Sequence, residues 1–101
     1  YIKQNFEKFK PVVRQYNNGR IAIQYMVYDE KYGIMIPACI ATINLPDQNL
    51  EEGEVIIKDY SENEGLYDCM VEAGHITPAS RYVKSGFISA PVCKLLLTQK
   101  S

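Results

Sequence analysis

A chain of 101 residues that is 47% hydrophobic and 23% charged, with a net charge of −1, has the make-up of one ordinary globular domain. At this size a core can form without disulfides or a structural metal. No apolar run nears the roughly 20 residues of a membrane-crossing helix, and Ile34–Ile43, the longest, is broken by Pro37.

The opening segment, Tyr1–Lys10, fits a short helix, because Phe6 and Phe9 are spaced for one apolar stripe. It shows no signal-peptide pattern. Lys10–Tyr16 reads as a first strand, and Asn17-Asn18-Gly19 after it is a strong hairpin signal. Arg20–Tyr28 alternates, with Ile21, Ile23, Tyr25 and Val27 on one face and Arg20, Ala22, Gln24, Met26 and Tyr28 on the other. That is the pattern of a strand buried on one side. Asp29–Gly33 supplies a second turn.

Ile34–Leu45 is β-branched and almost continuously apolar, which predicts the central strand of a sheet. Pro37 cannot donate to a ladder, so it predicts a bulge, with the cleaner strand running over Ala38–Asn44. Pro46-Asp47-Gln48-Asn49 leaves the sheet as a loop, and Glu54–Lys58 is a short strand. A helix then starts at Ser61, whose capping box would be closed by Glu64, and ends at Gly74. Leu66, Met70 and Ala73 form its apolar stripe, flanked by Tyr67 and Val71. Arg81–Lys84 and Val92–Leu96 are closing strands around a turn at Ser85-Gly86, and Thr98–Ser101 is a tail. The sum is an α+β fold in one domain, 1–101: a mainly antiparallel sheet of about five to six strands with one principal helix packed on it.

Charge is segregated along this order. Lys3, Lys8, Lys10, Arg14 and Arg20 open the chain against Glu7 alone, and Arg81, Lys84, Lys94 and Lys100 close it. Asp47, Glu51, Glu52, Glu54, Asp59, Glu62, Glu64, Asp68 and Glu72 lie between, against Lys58. Two readings follow. The fold can bring the basic ends onto the acidic centre and neutralise both. Alternatively, Asp59, Tyr60, Glu62, Glu64, Asp68 and Glu72 form one surface that docks on a basic protein partner, as a nucleic-acid mimic would. Nucleic-acid binding by the chain itself is disfavoured by a pI of about 5.8 and by the lack of a basic stripe interleaved with aromatics.

Chemistry-bearing residues are few. Cys39, Cys69 and Cys93 are odd in number and widely spaced, which predicts reduced thiols in a cytoplasmic protein rather than a disulfide framework or zinc site. The sole histidine, His75, follows the helix and reads as a partner for its dipole. A Cys-His nucleophile pair with Cys39 or Cys93 has no local signature. Asp59, Glu62 and Asp68 match no standard cation loop. No catalytic residue, metal or cofactor is assigned. Eight tyrosines suit a protein-binding surface, although each alone fits the edge of a core with its hydroxyl in water.

Asn44-Leu45-Pro46-Asp47, Ile57–Leu66 with its Ser-Glu-Asn-Glu-Gly-Leu core, Glu72-Ala73-Gly74 and Ser85-Gly86-Phe87 together resemble a family of small bacterial proteins of unknown function, often carried on phages and conjugative elements. The resemblance covers roughly Gly19 to Leu95. It implies a bacterial or phage cytoplasmic protein and transfers no catalytic residue. The expected function is a non-enzymatic interaction module that uses its acidic helix, with homodimerisation through a sheet edge open. The alternative is a small-molecule-binding domain or minor enzyme, with Asp59, Tyr60 and His75 converging on a pocket between sheet and helix.

Overall fold

Strands and helix follow one another as the sequence predicts, but the strands divide between two sheets. The structure, a computed structural model, describes residues 1–97; the tail expected over Thr98–Ser101 lies outside them. A short helix α1 (Ile2–Asn5) and one 3₁₀ turn lead into β1 (Lys10–Gln15), β2 (Ile21–Asp29) and β3 (Ile34–Ile40). These three form an antiparallel sheet in the order β1-β2-β3. β4 (Glu54–Ile56), α2 (Leu66–Glu72), β5 (Arg81–Ser85) and β6 (Ile88–Lys94) follow, with a second antiparallel sheet in the order β4-β6-β5. The α+β class holds. The single five- to six-stranded sheet is corrected to two sheets of three strands each.

The hairpin signals work as read. At the β1–β2 turn the Gly19 amide donates to the Tyr16 carbonyl and the Tyr16 amide to that of Arg20. Gly19 takes a φ of +86°. This is a type I turn closed by a left-handed bulge residue, which glycine adopts at least cost. In the β5–β6 hairpin the two central residues are Gly86 and Phe87, one position later than expected, with Gly86 at φ +62°.

The central-strand expectation for Ile34–Leu45 is overturned. β3 is an edge strand that pairs only with β2. Its register shifts opposite Tyr25 and Met26, so the irregularity falls at Pro37–Cys39 as expected. The regular stretch, however, is Ile34–Ile40 rather than Ala38–Asn44. Beyond it the chain crosses to the other sheet: Thr42 bridges Ile57, the Ile43 amide donates to the Ile56 carbonyl, and the Lys58 amide to that of Ala41. Ile57 donates to the Pro91 carbonyl, and Pro91 has no N–H to return the bond, so the β4 ladder ends there.

The main core lies between the inner face of the first sheet (Ile23, Tyr25), α2 (Leu66, Met70), the N-terminal segment (Ile2, Phe9) and one face of the second sheet (Val55, Cys93). A smaller cluster of Ile56, Val83, Ala90 and Val92 fills the second sheet's other face, under Ile43, Leu45 and Leu50. Two arginines fasten that covering loop. Arg20 donates to the carbonyls of Leu45, Pro46 and Gln48, while Arg81 reaches that of Asn49 and grips Glu54 with both ends of its fork at 3.0 and 3.1 Å.

The capping box does not form. Ser61–Asn63 is a separate 3₁₀ turn, with Ser61 itself at φ +56°, and the residue before α2 is Gly65 at φ +92°. The first-turn N–H of Tyr67 is taken instead by the Asp59 carboxylate at 2.8 Å. The helix end agrees with the sequence. Gly74 is left-handed, its amide donates to the Val71 carbonyl and the His75 amide to that of Met70, which is a Schellman motif. Ala73, placed in the apolar stripe, is exposed at that end.

Candidate functional site

The six residues nominated from sequence all belong to the segment that runs from the end of the Ile57 bridge through α2, but they do not share one state. Asp59 is half-buried and spent on capping Tyr67. Tyr60 is extended and half-buried, with the Lys58 ammonium 5.7 Å from its ring centre. Glu62 is exposed and hydrogen-bonded to Lys58. That bond holds the Glu62 carboxyl below its usual range and raises the Lys58 ammonium. Asp68 lies 3.9 Å from Lys3, both mostly in solvent. Glu64 and Glu72 are exposed, and neither forms a salt bridge among the described residues.

Of the basic residues that open the chain, Lys3 is the one that reaches this face. Its stem lies along Gly65, so close that a Cβ there would sit 3.1 Å from two of its carbons. The lysine separates two shallow depressions. One, of about 680 Å³, is lined by Asp59, Glu62, Glu64 and Asp68 on one side and Tyr1–Gln4 on the other. The second, of about 410 Å³, runs along Tyr67, Asp68, Val71 and Glu72. The face is therefore acidic with two cations, Lys3 and Lys58, set into it. The neutralisation reading of the charge segregation is partly realised, since Lys3–Asp68 and Arg81–Glu54 join a basic end to the acidic centre.

Of the three residues expected to line the alternative pocket, Asp59 and His75 do not converge. Asp59 sits at the start of α2 and His75 beyond its end, about 10 Å apart along a seven-residue helix at ~1.5 Å per residue. His75 instead turns inward, its Nδ1 2.7 Å from the Tyr25 hydroxyl and its ring over Tyr25 and Phe6. Burial lowers its pKa. Among the described residues no three His, Cys, Asp or Glu side chains come together to hold a metal. A groove of about 530 Å³ between the first hairpin and Leu50–Glu54 has Arg20 and Glu54 in its lining, both already bonded within the chain.

Several tyrosine hydroxyls expected in water are used internally: Tyr16 bonds Thr42, Tyr25 bonds His75, and Tyr67 accepts from the Ala79 amide. Tyr28, Tyr32 and Tyr82 remain exposed. No helix of the described residues is long and apolar enough to cross a membrane. No protein-family model, curated protein or solved structure matches the chain.

Proposed function

We propose that this chain is a non-enzymatic protein-interaction module that docks a basic partner surface through the acidic face around α2. One observation carries the reading: Glu62, Glu64, Asp68 and Glu72 are all exposed on a turn and helix whose opposite side, Leu66 and Met70, is fully buried. The carboxylates are therefore presented on a rigid support. Glu64 and Glu72 are the contacts a partner's lysines and arginines would reach first, with Asp68 released once Lys3 swings away. Such a surface contributes more to encounter rate and partner choice than to bulk affinity. The setting, a bacterium or one of its mobile elements, and a cytoplasmic location, rest on the motif resemblance and on the three free thiols.

The test is capture of a basic partner from bacterial lysate by the full chain at about 0.05 M salt and again at about 0.5 M, where the Debye length falls to a few ångströms. The reading expects a partner that is lost at high salt and is not retained by a Glu64→Lys/Glu72→Lys variant. Capture of nothing, or of a partner indifferent to salt and to charge reversal, overturns it.

A further inference from the structure

The first sheet has a second face that the fold leaves bare. Register places Lys10, Val12 and Arg14 of β1, Ala22, Gln24, Met26 and Tyr28 of β2, and Met35, Pro37 and Ile40 of β3 together, opposite to core residues Ile23 and Tyr25. None of these apolar side chains belongs to either core cluster. Tyr28, Met35 and Ile40 are 56%, 44% and 53% exposed. An antiparallel sheet with one solvated face ordinarily alternates to polar residues there. This one carries an apolar band along β2 and β3, with cations only on β1 and no carboxylate.

The sheet's edges, by contrast, are poor templates for added strands. Tyr16 bonds Arg20 and Ala41 bonds Ile23, which fixes the alternation: even-numbered residues of β2 turn their backbone to β1, odd-numbered ones to β3. Pro11 stands opposite Tyr25 and Pro37 opposite Met26. Both prolines therefore occupy outward-pointing positions on edge strands, where an incoming strand would need an N–H. Association through these edges is disfavoured, and the bare face remains.

We infer that this face is an isologous dimer interface, occupied by the same face of a second copy of the chain. Two features favour a second copy. A two-fold axis running along β2 lays β1 of one copy over β3 of the other, so Lys10 meets Pro37, Val12 meets Ile40 and Arg14 lies just past Ile40, with the cations of the two copies on opposite flanks. Their aliphatic stems then cover apolar surface while the charges reach the rim. The area reaches the lower limit of a specific interface. With strands ~4.8 Å apart and ~3.4 Å per residue, the face projects roughly 300 Å², and side-chain relief brings the total buried by two copies to about 1,000 Å². The inference concerns a surface other than the acidic face and does not depend on it.

Sedimentation of the full chain from about 5 to about 500 µM, spanning micromolar affinities, tests this. The expected result is a reversible shift from 11.5 kDa to twice that mass. Met35→Lys, at an exposed position, and Met26→Glu should each weaken dimerisation at least ~10-fold with native circular dichroism retained. Glu64→Lys/Glu72→Lys should leave it unchanged. A wild-type chain that stays monomeric overturns the inference, whether the face then serves another protein or none. So does a dimer indifferent to both methionine variants.

Discussion

The Tyr25 hydroxyl and His75 Nδ1, fifty residues apart in sequence, meet at 2.7 Å beneath Phe6. Tyr25 is fully buried, and burial pushes its pKa up while it lowers that of His75, so a neutral hydroxyl meets a neutral imidazole. This bond ties the centre of β2 to the end of α2. Tyr25→Phe should cost about 1–2 kcal/mol in urea denaturation, because a buried bond is lost and the His75 ring nitrogen is left without its partner.

The same pair predicts a pH dependence. The folded state lowers the His75 pKa, so the unfolded chain binds that proton more readily. Stability is then fully present above about pH 6.5 and declines as pH falls through that value toward the folded-state pKa. His75→Gln should flatten the change in urea midpoint between about pH 7.5 and 5.5. A slope that survives the substitution means another group carries it.

Arg20 holds three carbonyls of the loop over the smaller core. Arg20→Ala leaves those acceptors to water and loosens the cover on Ile56 and Val92. The expected loss is about 2 kcal/mol, with Arg20→Lys in between because one ammonium cannot reproduce the fork. Amide exchange over 43–50 should accelerate in both variants.

Gly65 is constrained twice, by its φ of +92° and by the Lys3 stem 3.1 Å from where a Cβ would stand. Gly65→Ala should destabilise by about 1–2 kcal/mol. Adding Lys3→Ala relieves only the contact, so the double variant should recover part of the loss. Full recovery would show that the backbone angle costs nothing.

The thiols should be slow. Burial pushes Cys39 up to about 11, with the Glu62 carboxylate adding to the rise, and burial alone takes Cys93 to about 12. Cys69 is raised too, first by burial. At pH 7.5 a disulfide reagent should label Cys39 and Cys93 of the folded chain at least ~50-fold more slowly than in the unfolded one, and Cys69 more slowly too, since only thiolate reacts. A rapid single-thiol burst would contradict this.

Local signals in the sequence carried the element order, the turns and the Schellman end of α2. What they missed was competition at a distance. Ser61 and Glu64 have the spacing of a capping box, yet the Asp59 carboxylate reaches the first helical turn and Gly65 turns the chain between the two pieces. Ile34–Leu45 looks buried on both faces because it is apolar on both. Periodicity cannot say whether the second face meets this chain, another one or water. The signal for the bare face was nonetheless present, since Ala22 and Met26 sit on the side of β2 that alternation assigns to solvent. In the acidic segment, charge counting could not see that Asp59 and Glu62 are engaged while Glu64 and Glu72 are not.

Pro11 and Pro37 also limit what size of assembly this sheet can reach. Chains that stick through open rims can keep recruiting neighbours and end as fibrils. With an imino acid on each flank of the first sheet, lateral growth from that sheet is discouraged, and the inferred pairing across its outer face would close after two subunits.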